Sequence, residues 1–160
     1  GTRPVRLDET IDVAAPRSVV WDYVTDPANY LEFMEGLTRW EVAGEIDRGL
    51  GARYRILLHV GSADVGGLIE VVEWSPIGDM AWSSVTGIDQ RGRWRLRELP
   101  GGGTRVTFRF AYGVAGSGIT GYLAERVAAP SLRSHLRRNF KETLRTLKRA
   151  LEASGAQTAA

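Results

Sequence analysis

Few side chains able to hold or pass a proton fall on the apolar faces of this chain. Glu9 alternates with Leu7 and Ile11 in VRLDETIDV, so its carboxylate shares a face with apolar neighbours and, removed from water there, could serve as acid or base. Ser84, Tyr112 and Thr143, with Tyr54, sit where a hydroxyl could orient a ligand carbonyl, although hydroxyls inside a core ordinarily bond backbone. Glu73 shares the inward parity of Ile69 and Val71, but it lies beside the Ser75-Pro76 turn, where a bulge could flip it outward. A serine hydrolase is excluded: there is no Gly-x-Ser-x-Gly elbow, and of the two histidines His59 lies on an outward parity and His135 off the centre of a helical stripe. With no cysteine, thiol chemistry and disulfides are absent, and two histidines are too few for a His-rich metal site. No metal and no cofactor is expected. Gly101-Gly102-Gly103 leads into a strand, which makes it a hairpin turn and not a phosphate loop.

The elements that must position these groups follow from hydrophobic period. Val5, Leu7, Ile11 and Val13 alternate as a strand covering one face of a core. Pro16 opens a short helix with Val20, Trp21 and Val24 at helical spacing. Asp26-Pro27 caps a second short helix carrying Tyr30, Phe33 and Met34 on one face. From Leu37 to Gly113 short β-rich segments are separated by turn clusters at 47–51, 61–64, 75–79, 86–89 and 100–103, which predicts a six-stranded antiparallel meander. Gly66-Gly67 inside one strand marks a bulge or bend. Parity assigns inward faces to Trp40 and Val42; Tyr54, Ile56 and Leu58; Ile69 and Val71; Trp82 and Ser84; Trp94 and Leu96; and Val106, Phe108, Phe110 and Tyr112.

Beyond Gly118 the period becomes 3.6. Leu132, Leu136, Phe140, Leu144, Leu147 and Leu151 form one stripe of a long amphipathic helix, with Ile119, Tyr122, Leu123 and Val127 a quarter turn off before a bend at Pro130. The domain therefore spans 5–152, and 153–160 is a frayed tail. Gly1-Thr2 is set aside. The whole is an α+β domain with a curved seven-stranded antiparallel sheet, two short helices between strands 1 and 2, and a long C-terminal helix on the apolar face.

Charge narrows the partners. Residues 1–50 carry ten acids and five arginines, whereas 131–152 carry seven bases and two acids, an asymmetry best read as a solvated helix face lying across the acidic half. Arg91, Arg93, Arg95 and Arg97 with Arg105 and Arg109 mark the wet face of the sheet. That ladder could meet anionic lipid headgroups transiently, but it lacks the interleaved aromatics of a nucleic-acid platform, and Glu70 and Glu98 offset part of it. No apolar run reaches the ~18 residues of a membrane span, so a cytoplasmic protein is expected. Nothing here specifies an oligomeric state.

The stretch AAPRSVVWDYVTDPANYLEFM, the Gly49-Leu50-Gly51-Ala52-Arg53 turn, Gly102-Gly103-Thr104-Arg105-Val106-Thr107 and the closing Leu147-Lys148-Arg149-Ala150-Leu151-Glu152 together resemble the helix-grip superfamily of START lipid-transfer domains, Bet v 1-like proteins and polyketide cyclase/dehydrases. The resemblance implies a cavity between sheet and long helix that takes a lipid, polyketide or sterol-like molecule, with 113–121 and the short helices at its mouth. The residues then expected to face the guest are Tyr30, Phe33, Met34, Trp40, Tyr54, Ile56, Leu58, Ile69, Val71, Trp82, Trp94, Phe108, Phe110, Tyr112, Leu132, Leu136 and Phe140. Binding or transport of such a molecule is the leading reading. A polyketide aromatase/cyclase-dehydratase using Glu9, Ser84, Tyr112 or Thr143, and a protein-interaction module of the same fold, stand as alternatives.

Overall fold

The computed structural model describes residues 4–113 and 130–159 and, for 130 and 156–159, the backbone alone. Strand β1 (Val5–Val13) is followed by helix α1 (Arg17–Thr25), a 3-10 turn (Pro27–Asn29) and helix α2 (Tyr30–Phe33). Then come β2 (Leu37–Val42), β3 (Arg53–Val60), β4 (Ala63–Ser75), β5 (Asp79–Ser84), β6 (Asp89–Glu98), β7 (Thr104–Gly113) and the long helix α3 (Pro130–Ala159). All seven strands join one antiparallel sheet in the order β1-β7-β6-β5-β4-β3-β2. The meander lies in sequence order and β1 returns to cover β7, as short connections between antiparallel neighbours demand.

Local chemistry sets the breaks. The Pro16 carbonyl accepts the Val19 and Val20 N–H groups at 3.1 Å each, starting α1. Asp26 Oδ1 accepts the Ala28 N–H at 3.0 Å, with Pro27 opening the 3-10 turn. In β4, Gly67 has φ +144°. A Cβ on Gly66 would stand 2.2 Å from the Ile56 carbonyl oxygen, and one on Gly67 2.2 Å from that of Thr86. The backbones approach so closely there that only glycine lets the long strand bend.

α3 lies along β1 and also touches β3 and α2. Lys148 Nζ donates to the Asp12 carbonyl at 2.7 Å, and Arg137 stands 3.9 Å from Glu9. The basic helix thus rests on the acidic first strand. Its stripe from Leu132 to Leu151 is buried with Leu7, Val13, Val20, Val24, Met80, Leu96 and Val106 in one core.

Three expectations change. Val42 keeps the parity of Trp40 yet is 44% exposed, as the last residue of an edge strand. The helix does not fray at 153 but continues to Ala159, where Ala153, Ala156 and Ala159 supply strong helix formers. Ser84 is half-buried where full burial was expected, since it ends β5. The stripe at Ile119, Tyr122, Leu123 and Val127, its offset across Pro130, and the mouth segment after Gly113 lie outside the described residues. None of the helices among the described residues is long and apolar enough to cross a membrane.

Candidate functional site

The space between sheet and helix is filled unequally. Toward α1 the interior is solid: Tyr30 stacks on Trp40 with centroids 3.9 Å apart, Phe33 meets Trp94 at 5.9 Å, and Trp94 meets Phe108 at 4.6 Å. Polar tips there are used internally. The Tyr30 hydroxyl donates to the Val24 carbonyl and accepts the Trp94 indole N–H at 3.1 Å, while the Tyr54 hydroxyl donates to the Asp47 carbonyl at 2.6 Å. Burial raises both phenols, Tyr54 to about 12, so both stay protonated donors.

Toward the β3–β4 and β5–β6 turns a cavity remains. It is lined by Met34, Leu37, Trp40, Ile56, Leu58, Val65, Trp82, Ile88, Gln90, Phe108, Phe110, Tyr112, Leu132, Leu136 and Phe140. The chain just after α2 gives Met34 and Leu37, the strands give the curved wall, and the first turns of α3 close it. Room for a water-sized sphere is about 30 Å³, within about 540 Å³ of space not occupied by atoms, solvent at the mouth included. One water needs ~10–15 Å³ by the same measure, so the cavity as it stands has room for only a water or two.

Of the residues expected to face a guest, Tyr30, Phe33, Tyr54, Ile69, Val71 and Trp94 do not reach this cavity and belong to the packed core instead. Parity reports which side of a sheet a residue takes, not how far along the strand the interior stays filled. Four lining residues escaped the sequence reading. Leu37, Val65 and Ile88 sit at strand ends or turns where alternation is weak. Gln90 was legible: the arginines at 91, 93, 95 and 97 place every even residue from 90 to 96 inward, and Gln90 is 5% exposed.

The candidate acid/base groups do not converge. Glu9 faces Arg137 at 3.9 Å near the helix. Ser84 Oγ accepts the Gln90 backbone N–H at 3.1 Å, and Thr143 Oγ1 accepts that of Glu35 at 2.9 Å, tying α3 to the loop after α2. Tyr112 alone of the four lines the cavity, its phenol raised by burial although Arg133 acts against the rise. Glu73 is turned outward by a register shift after Val71 and meets Arg93. His59 points outward to Asp64 at 2.7 Å, and His135 bonds the Ser131 carbonyl at 2.6 Å on an exposed surface. The outer arginines are cross-paired: Arg93, Arg95 and Arg97 all reach Asp79, Arg53 reaches Glu70 and Arg105 reaches Asp12.

Solved structures share this architecture. Zhui aromatase/cyclase from Streptomyces sp. R1128 aligns over 94% of this chain and 94% of its own, with a TM-score of 0.76 and 19% identity. TTHA0849 from Thermus thermophilus aligns over 94% and 99%, also at TM-score 0.76 and 19% identity. The di-domain ARO/CYC StfQ from the steffimycin biosynthetic pathway matches 96% of this chain with 52% of its own, at TM-score 0.68 and 16% identity. No curated protein matches by sequence. At such identities the likeness speaks for the fold, but the sequence pattern described as "Polyketide cyclase / dehydrase and lipid transport" matches residues 4–152, from the first strand through most of the long helix. The curved sheet gripping a terminal helix is thus that of the polyketide cyclase/dehydrase and lipid transport family, to which this chain belongs.

Proposed function

We propose that this protein binds an uncharged, apolar small molecule between the sheet and the first half of α3. One observation carries the reading: the wall contains no charged side chain among the described residues, while aromatic and aliphatic groups from the sheet and the long helix converge on it. A guest burying ~300 Å² of apolar surface there would gain about 7.5 kcal/mol at ~25 cal/mol/Å². Against this stand an association cost of ~4 kcal/mol or more and the work of widening the closed cavity. At most about 3.5 kcal/mol remains, which is millimolar binding unless polar contacts add to it.

Two measurements test it. Native mass spectrometry of the purified protein should detect a non-covalently held molecule or, after stripping, uptake of an added apolar fluorophore. Val65→Trp places a large ring in the cavity from a half-buried position and should abolish uptake while the circular dichroism spectrum stays unchanged. Uptake that persists in this variant would move the site elsewhere.

A second reading, an aromatase/cyclase reaction like that named for the Zhui and StfQ proteins, is favoured by Tyr112. Its buried phenol stays protonated and could donate to a ligand carbonyl as it gains negative charge. With a poly-β-ketone probe, Tyr112→Phe should lower turnover by ~10² if the residue is catalytic. For a carrier it should change affinity only modestly.

A further inference from the structure

The two edges of the sheet are treated differently. Along β1 the long helix lies against the strand, and Lys148 Nζ donates to the Asp12 carbonyl. β2 forms the other edge, and among the described residues its only strand partner is β3. Thr38, Arg39, Glu41 and Val42 are exposed there, with Trp40 buried between them. The ladder tells which backbone groups point outward. The Ala43 N–H donates to the Arg53 carbonyl at 2.9 Å, and Val42, Glu41 and Trp40 stand opposite Tyr54, Arg55 and Ile56. Bonded and non-bonded positions alternate in an antiparallel pair, so Ala43, Glu41 and Arg39 direct their N–H and C=O groups to β3. Those of Trp40 and Val42 point the other way, into the open edge.

Such a row is a template for one more strand, and edges are ordinarily guarded by charges that keep copies apart. The charges on β2 do the opposite. Trp40 faces inward, so Arg39 and Glu41 flank it on the outer face, 3.5 Å apart within the strand. If two β2 strands meet antiparallel about a two-fold axis at Trp40, that residue falls opposite itself and the two copies exchange its N–H and C=O bonds. Arg39 of each copy then falls opposite Glu41 of the other, at a non-bonded pair, where facing side chains come closest. An axis at Glu41 would set that carboxylate against itself. We propose that β2 is a self-association edge, at which two copies of this chain pair antiparallel about Trp40 and join their seven-stranded sheets into one. A second copy is the occupant because a closed two-fold contact requires a patch that complements itself, and this one does so in both hydrogen bonding and charge. Trp40 also lines the cavity, so the seam would brace the backbone of that wall. The pairing does not depend on what the cavity holds.

Six residues make a short seam, so the dimer is weak and dissociates on dilution. Sedimentation equilibrium of the whole chain at low ionic strength, over ~10 µM to ~1 mM, should show the mass rising toward that of a dimer. It should fall back in ~1 M salt, which screens exposed charge pairs. Arg39→Glu alone puts acid opposite acid, and Glu41→Arg alone puts base opposite base. Each should weaken association about tenfold or more. An equimolar mixture of these two variants restores both matched pairs and should associate about as tightly as the unmodified chain. Val42→Pro removes an N–H that β3 does not use and should prevent pairing, while the circular dichroism spectrum stays unchanged. An unmodified chain that remains monomeric to ~1 mM overturns the proposal, as does a dimer that neither charge reversal nor Val42→Pro weakens. A mixture no tighter than either variant alone overturns the centring on Trp40.

Discussion

Asp79 is the most heavily engaged carboxylate among the described residues. Its side chain is 13% exposed, with Arg93 at 2.7 Å, Arg97 at 2.9 Å and Arg95 at 3.2 Å. Burial alone would raise its pKa, but hydrogen bonds from Arg97, Arg93 and Arg95 outweigh that and hold it below the ordinary carboxylate value. A depressed folded-state pKa contributes stability that is fully present above the unfolded value of ~3.9 and disappears as pH falls through the folded one. Asp79→Asn should therefore cost about 1–3 kcal/mol in urea unfolding at pH 7, toward the lower end because the arginines remain partly hydrated. The gap to the unmodified protein should stay constant between about pH 5 and 7 and narrow progressively below about pH 4. A gap that does not narrow at all as pH falls from about 5 to about 2 would assign the effect to packing. Thr143→Val removes the acceptor of the Glu35 N–H and should cost about 1–3 kcal/mol with no dependence on pH in this range. These two residues also mark what sequence can reveal at this scale. The outward face of His59 follows from parity, whereas parity alone would turn Glu73 inward, and the register shift after Val71 reverses it. The partner of Thr143 lies more than a hundred residues away, and the convergence of three arginines on Asp79 depends on strand register, so no local pattern announces either.

Elements were the more legible level, because each leaves a period in the chain. Alternation marked the seven strands, the turn clusters separated them, and the 3.6-residue stripe marked α3. What alternation omitted was position within the sheet, which is why Val42 shares a parity with Trp40 but not its burial. The bend of β4 shows a local rule carried through to geometry. Gly66 and Gly67 pair with Leu57 and Ile56 of β3, and the added Cβ atoms would strike carbonyl oxygens of β3 and of the β5–β6 turn, which are backbone and cannot swing aside. Gly67→Ala should thus destabilise by about 3 kcal/mol or more in chemical denaturation, through both the clash and the positive φ. Gly113→Ala provides the control. Its Cβ would meet nothing nearer than 3.9 Å, so the change should stay within about 0.5–1 kcal/mol. Equal effects at the two positions would mean that β4 bends for some reason other than its glycines.

Across the whole molecule, one core is divided into an end that closes on itself and an end that does not. Near α1 the aromatic rings stack, and Tyr30, Tyr54 and Trp94 all find internal partners for their polar tips. Near the β3–β4 and β5–β6 turns two indoles, those of Trp40 and Trp82, lack one among the described residues, and a narrow void persists there. A chain selected only for stability gains by filling such a void, since lost contacts and unpaired donors both cost free energy. Leaving it in an otherwise close-packed interior is consistent with an occupant. Enlarging it distinguishes occupancy from poor packing. Leu136 is 2% exposed and lines the cavity from α3. Leu136→Ala should lower stability by about 2–5 kcal/mol without a guest, through lost transfer energy and the larger cavity. The same variant should bind a benzene-sized apolar molecule more tightly than the unmodified protein, because the work of widening the space is already done. Ligand-linked stabilisation rises as RT ln(1 + [L]/Kd), so a fixed guest concentration should raise the melting temperature of the variant more than that of its parent. Differential scanning calorimetry with and without guest measures both effects. Destabilisation without any gain in guest-induced stabilisation would mean that the void is a packing defect isolated from solvent, for in a site already poised to open, removing one wall residue must weaken the fold and strengthen binding together.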